Sequence, residues 1–537
     1  MNLDSLLGNI DLHPRHWGEV QAALIRGHGW PLSSAEIVRV RDVFNAEFAA
    51  VIRAHGINRN QQAELAWLAG PVLMIDSMEC YAAQALSRRF ANRGIAARYD
   101  GAGILGALAT GATLPLPIAL SRILKGIPPR SPIVRLASAA LAPWRGTRLP
   151  RDLPRSMRKN RDILAFNVTP LIISSASAAG LRLVLGDRSD WFPTGSHNPA
   201  TLPQPLGNAI VEAILTAFET AFSAGGEQFG PAIRERFRTT LITLAGVGKV
   251  YMDSLEAKAR WLPGHFWANS LGPFHNRVMA RSVARHGGES AAFDHGTGAG
   301  WWILPARTLV EYAAATRFIT FTAAQAKRET ADIDPQLLAD ESHVCQIEPA
   351  PGAAAFQAIP TLPPQTLAGP RKIMYVSTLY PGEKGEIVPV PSDLVQVDWQ
   401  DRLFGHLRSR GHKILFRPHP ESRATPPDAL MQAHEAELVQ DVLEISLTKA
   451  DLLLFDWPQS SAFVSAVRSG RPIVLVDLGV IPIAPEARAS LERRVAIVSA
   501  GFDGKNRISC AWSDLDEAIL KASERARDTS FVRQYYG

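Results

Sequence analysis

The apolar positions of the chain change period along its length. In the first sixty-five residues they recur at helical spacing, as in Val-Gln-Ala-Ala-Leu-Ile (20–25) and in 40–56, which predicts a helical region over 1–65. From Val72 the pattern becomes short apolar runs that end in polar residues, each followed by a helical stretch. Val72-Leu73-Met74-Ile75 leads into Asp76-Ser77-Met78-Glu79, then a helix over 80–94 and a second run at 95–100, which reads as a βαβ unit. The alternation resumes with strands expected at 163–174, 181–187, 265–270, 290–293 and 317–322, and with long helices over 208–246.

Residues 351–370 are rich in Pro and Ala and lack periodicity, as a linker does. Beyond them, strands are expected at 372–378, 413–420, 450–456 and 472–479, with helices between, at 399–412, 428–438 and 460–470. The predicted architecture is α/β. An N-terminal Rossmann-like domain spans 66–350, with a Gly-rich and basic insert at 101–161. The linker 351–370 joins it to a C-terminal Rossmann-like domain over 371–537. The chain has 537 residues, which suits two or three cores rather than one.

Composition narrows the class. Hydrophobic residues make up 46% and charged residues 20%, values of a globular chain. The three cysteines, Cys80, Cys345 and Cys510, are far apart and lack metal-ligand spacing, so neither a disulfide framework nor a structural zinc is expected. The reducing cytoplasm is the expected compartment, since the N-terminus has no basic region followed by an apolar run. Residues 101–120 are uncharged but hold glycines and prolines in place of large apolar side chains, which favours a helical hairpin over a spanning helix. The net charge is +6, and roughly nine Lys or Arg against one acid fall between Arg130 and Arg161. That stretch reads as a solvated surface loop or as a patch for an anionic inner-membrane surface. No nucleic-acid recognition motif accompanies it, so nucleic acid is not expected as a partner.

Ligands of open parallel sheets bind outside the carboxyl ends of the strands, so the polar residues that follow strands carry the candidate chemistry. Four places qualify. Arg417-Pro418-His419-Pro420-Glu421 holds an imidazole between two prolines at a strand end, where it can donate to a phosphate or protonate a leaving group. Asp456 with Ser460 and Ser461 precedes a helix, whose first N–H groups and hydroxyls suit either simple capping or a phosphate. Asp294-His295-Gly296-Thr297 offers a base for an acceptor hydroxyl, with Asn269 on the acceptor side. Ser377 and Thr378 begin a loop after the first strand of the second domain.

Together these residues resemble the GT-B bacterial surface-polysaccharide glycosyltransferases: the sialyl-, polysialyl- and Kdo transferases and the CDP-glycerol glycerophosphotransferases. The resemblance rests on His419-Pro420, then Asp456 with Ser460-Ser461, then Gly470-Arg471-Pro472-Ile473-Val474, and on His295-Gly296-Thr297. It spans about 265–480. It implies transfer of a sugar, CMP-linked and acidic such as Kdo or a sialic-acid-like sugar, from a nucleotide donor to a surface glycan or lipid-linked glycan. His419, Ser460 and Ser461 would hold the donor phosphate. No bound cofactor and no metal are implied. Asp294-His295-Gly296 matches neither the acidic motif of the sialyltransferases nor the His-Gly motif of the polyol-phosphate group cleanly, so the base is open between Asp294 and His295. The alternatives are a CDP-polyol phosphotransferase and a non-catalytic carbohydrate-binding or assembly protein of the same fold.

Overall fold

The computed structural model describes residues 29–92, 103–104, 107–108, 111–128, 162–294, 300–350, 371–380, 388, 390–419, 422 and 428–536. The expected segments at 1–28, 95–100, 130–161 and 351–370 lie outside the described residues, as do His295, Gly296, Thr297, Pro420 and Glu421.

A helical layer comes first. α1 (Ser34–His55) starts at a capping box, in which Glu36 N donates to Ser33 Oγ at 3.2 Å and Ser33 N donates to Glu36 Oε2 at 2.9 Å. α2 (Gln61–Asn92) runs through Pro71. It corrects the strand expected at 72–75. Residues 63–74 are buried all round, so the helix shows no apolar stripe, and an unbroken apolar run cannot be told from a buried strand. Asp76, expected at a strand end, is a helix residue paired with Arg236.

The first sheet begins only at Asp162. Its strands are β1 (Asp162–Phe166), β2 (Arg182–Leu185), β3 (His265–Ala268), β4 (Glu289–Phe293), β5 (Arg317–Thr320) and β6 (Gln346–Pro349), in the order β2-β1-β3-β4-β5-β6. Every pairing is parallel. The strand expected over 163–174 is shorter than the pattern suggests. Asn167 takes a positive φ of 52°, and Thr169 then caps α3 (Pro170–Ala178), with Pro170 in its first turn. Two long helices, α4 (Asn208–Ala224) and α5 (Pro231–Glu256), bind the helical layer to the sheet. The Phe44 and Phe218 rings stack at 4.5 Å in that seam, each such burial contributing about 1.5–3 kcal/mol. α6 (Phe274–Arg285) and α7 (Ala323–Ala331) follow β3 and β5.

The second sheet is β7 (Lys372–Val376), β8 (Lys413–Arg417), β9 (Glu437–Leu438), β10 (Leu452–Phe455), β11 (Ile473–Asp477), β12 (Ala496–Phe502) and β13 (Ile508–Cys510). The order is β13-β12-β11-β10-β7-β8-β9, parallel except for β13. The helix expected over 428–438 stops at Ala433, and β9 takes its end. α8 (Asp393–Ser409), α9 (Ser461–Arg468), α10 (Pro485–Arg494) and α11 (Trp512–Arg525) cover the sheet. β10 and β11 are apolar on both faces, as strands sandwiched between helix layers must be.

The loops at the carboxyl edges of the two sheets are joined. Ile303 N donates to Pro482 O at 2.9 Å and Ala484 N to Trp301 O at 3.0 Å, so the segment after β4 pairs with the segment after β11. The short C-terminal helix α12 (Ser530–Tyr535) closes the same junction: Trp301 Nε1 donates to Tyr536 OH at 2.8 Å. Two Rossmann-like sheets thus face each other through their carboxyl edges, with a helical region at the N-terminus. This is the expected GT-B architecture. No helix among the described residues is long and apolar enough to cross a membrane. In the 101–120 region, the described residues 104, 107 and 108 are helical, and a seven-residue helix starts at Ile118.

Candidate active site

Strand order locates the site. In the second sheet the chain moves from β7 outward to β8 and β9, then returns to the other side of β7 for β10 and β11. The switch point therefore lies between β7 and β10, where a crevice opens at the carboxyl ends. Ser377 and Thr378 follow β7, and Asp456 follows β10, because Phe455 pairs with Val376. Arg417 also pairs with Val376, which places Pro418 and His419 at the same edge one strand further out. Ser377 N donates to Arg417 O at 2.9 Å and ties the two loops together. At a strand spacing of about 4.8 Å, roughly 10 Å separates β8 from β10, with Ser377 between.

The side chains differ in what they are free to do. His419 is half-buried, and its carbonyl accepts from Ser422 N at 3.1 Å. Arg417 donates from Nε to Asp441 O at 3.3 Å, so part of its guanidinium is committed to the chain. Ser460 caps α9: its hydroxyl accepts from Phe463 N at 3.2 Å. The capping role is thus satisfied within the chain. Ser461 is exposed, and the first N–H groups of α9 remain at the edge.

Asp456 is buried and accepts a hydrogen bond from Tyr375 OH, while its Oδ1 has no partner among the described residues. Gln400 of α8 reaches both Tyr375 OH, at 3.3 Å, and Ser377 Oγ, at 3.4 Å, and it accepts from Tyr380 OH. Gln396, one turn earlier, donates to Leu379 O at 3.1 Å and Pro391 O at 2.6 Å. A buried polar frame of Tyr375, Tyr380, Gln396 and Gln400 thus holds both loops of the crevice. Sequence reasoning missed these four. Asp393, Gln396 and Gln400 lie at i, i+3 and i+7 on one helix face, and that polar spacing was the available signal.

Burial pushes the Asp456 carboxyl up to about 6, against the opposing hydrogen bond from Tyr375. A carboxyl raised on folding adds stability that is complete below its unfolded value near 3.8 and is lost as pH rises through about 6. The Asp456→Asn chain avoids that loss. It is expected to be more stable than the parent at pH 8 by about 3 kcal/mol, and by much less at pH 4.5. Urea unfolding of both chains at the two pH values checks this, and a pH-independent difference would refute it.

In the first sheet, Asp294 follows β4 and Asn269 follows the neighbouring β3. Asp294 is 3% exposed, and its backbone N–H donates to Ile319 O at 2.8 Å. Asn269 Oδ1 is buried without a hydrogen-bond partner among the described residues. Behind Asp294 sits a buried ion pair. Arg307 Nη1 donates to Glu329 Oε1 at 2.6 Å, and Gly300 N and Tyr312 OH also donate to the Glu329 carboxylate. Burial draws Arg307 down, but Glu329 and Asp294 outweigh it and hold the guanidinium above its ordinary value. Gly300 has φ 80° and approaches α7 so closely that a Cβ would lie 2.3 Å from Gln325 Cα, so no other residue fits. Tyr312 belongs to a π-helical turn, Thr308–Tyr312.

The structure brings the segment that starts at Gly300 and the α9 start to one junction. Trp301 packs on Phe463, ring centroids 5.8 Å apart, and Phe463 is the residue whose N–H Ser460 caps. Among the described residues, no group of three or more His, Cys, Asp or Glu is placed to hold a metal ion.

No model of a known protein family matches the chain, and no curated protein matches it in sequence. Solved structures with a similar outline include a protein described as a UDP-N-acetylglucosamine 2-epimerase from Listeria monocytogenes. It is 12% identical, with 71% of this chain and 93% of that one covered and a TM-score of 0.35. The spinosyn forosaminyltransferase is 11% identical, with 70% and 94% covered and a TM-score of 0.33. A trehalose-6-phosphate synthase is 12% identical, with 70% and 96% covered and a TM-score of 0.34. Similarity of this extent assigns no residue a role.

Proposed function

We propose that this chain is a glycosyltransferase that binds a nucleotide-linked sugar at the β7–β10 crevice and an acceptor hydroxyl at the β3–β4 edge opposite. The observation that supports it best is the junction of the two carboxyl edges through 301–303 and 482–484, which sets one switch-point crevice against a buried aspartate on the other sheet. Such a junction gives the two halves of a transfer reaction separate binding floors and a shared reacting space.

In this reading Ser377, Thr378 and the α9 start at Ser460 and Ser461 receive the donor phosphate, and His419 donates to it from the neighbouring strand. The charge that develops on the leaving phosphate then meets preset donors. Arg417 shapes the outer wall, and Asp456, held by Tyr375, orients the floor. The acceptor hydroxyl loses its proton to Asp294 or His295 as its oxygen attacks the anomeric carbon and the sugar–phosphate bond breaks. Asn269 lines the acceptor side. A CMP-linked acidic sugar is the proposed donor and a surface glycan the proposed acceptor. The basic stretch 130–161 would hold the enzyme at an anionic inner-membrane face.

His419→Ala is expected to lower transfer by about 10²-fold, the usual cost of one donor to a developing oxyanion, with the circular dichroism spectrum unchanged. Turnover from CMP-, CDP-, UDP- and GDP-linked sugars checks this. Near-parental turnover in the variant would refute the role of His419, and a chain that binds no nucleotide would refute the transferase reading.

A further inference from the structure

The first sheet has a switch point of its own. The chain passes from β1 outward to β2 and returns to the other side of β1 for β3, so its crevice lies between β1 and β3, away from Asp294. Four residues that the sequence analysis did not single out gather around the ends of these strands. Arg188 follows β2, His197 lies in the loop beyond it, His275 opens α6 after β3, and Tyr251 stands on α5 behind them.

Their chemistry is that of an anion site. The Tyr251 hydroxyl is 3.1 Å from His197 Nε2 and 3.3 Å from His275 Nε2. One hydroxyl donates only once, so it donates to one imidazole and accepts from the other. This leaves one ring Nδ1 carrying a proton and the other without. Arg188 is half-buried, and its side chain makes no hydrogen bond or ion pair with the described residues. The acid whose charge acts on it is Asp187, which accepts from Ser189 N at 2.8 Å and Ser189 Oγ at 2.7 Å in a helix cap. Burial, with Arg188 and His197 close by, draws the His275 imidazole down to about 3, so the cluster holds a half-buried cation beside a neutral ring. α6 starts at Pro273 without a side-chain cap, which adds the positive end of a helix to the same place.

The loop that carries His197 is also the root of the basic stretch. His197 N donates to Leu124 O at 2.8 Å, and Gly195 N to Ile127 O at 3.1 Å, directly before residue 130. Gly126 approaches so closely that a Cβ there would meet Gly195 O at 1.6 Å.

We propose that Arg188, His197 and His275, linked by Tyr251, bind a phosphate group of the acceptor. The inference rests on the transferase reading only in calling the ligand an acceptor; the phosphate site stands on its own geometry. Arg188 supplies the fixed charge, and the ring whose Nδ1 carries the proton supplies a hydrogen bond.

The test is direct binding of inorganic pyrophosphate and of a sugar 1-phosphate to the full chain, followed by calorimetry and by histidine ring resonances at pH 7. Both probes should bind and shift the His197 and His275 signals. Arg188→Gln should weaken binding by about tenfold or more, and His197→Gln by less. CMP affinity should stay the same in both variants, which also shows that they fold. Pyrophosphate binding that leaves the two histidines unshifted, or equal affinity in the Arg188→Gln chain, would overturn the proposal. If pyrophosphate binds as described while no nucleotide binds, the transferase reading falls and the phosphate site remains.

Discussion

The Asp294→Asn chain should bind the donor nucleotide with parental affinity and transfer sugar about 10²–10⁴-fold more slowly, the range that a general base contributes. Asn keeps the shape of the side chain and removes its ability to take a proton. The position is buried at the end of β4, beside Arg307 and near the Trp301 segment that reaches into the second sheet. Single-turnover kinetics separates the effect on chemistry from that on binding. His295→Gln is the companion measurement. If Asp294→Asn transfers at a near-parental rate while His295→Gln fails, the base is the histidine. If both chains keep parental rates, the acceptor is deprotonated elsewhere and the assignment of this loop is wrong.

Much of the second sheet was legible because its strands are short apolar runs that stop at polar residues. Lys372–Val376, Lys413–Arg417 and Leu452–Phe455 fall inside the expected segments. Their carboxyl ends carry Ser377, His419 and Asp456, so the candidate site followed from strand ends alone. Residues 72–75 failed for the opposite reason. They sit in a helix packed on every side, where burial erases the period that distinguishes helix from strand. The polar frame under the crevice was hidden because Tyr375 and Gln400 lie inside elements, where only the tertiary fold shows that they meet. The switch points were equally hidden. Strand order depends on which helices cross which face, and no local pattern records it. The phosphate site inferred at Arg188 and His275 joins residues nearly ninety positions apart, and their proximity comes from that strand order.

The largest loss of stability should come from Glu329. Its carboxylate accepts from Arg307, Gly300 N and Tyr312 OH inside a dry site, and Glu329 and Arg307 are 2% and 9% exposed. Glu329→Ala leaves Arg307 buried and short of its main counter-charge, at a cost of about 3–5 kcal/mol. Of the remaining acids, Asp294 acts on Arg307 most strongly, ahead of Glu311, so the guanidinium should draw that carboxylate inward in the variant. Transfer should therefore fall along with stability, even though Glu329 touches no substrate in the proposed reaction. The Arg307→Met, Glu329→Leu double variant separates the two effects. Removing both charges should recover most of the lost stability, because the desolvation cost goes with them. Activity should stay low, because the Arg307 charge is gone from beside Asp294 and Gly300 N has lost its acceptor. Thermal unfolding and single-turnover rates on the three chains test this. Should the double variant regain full activity, the ion pair serves stability alone and Asp294 needs no help from it.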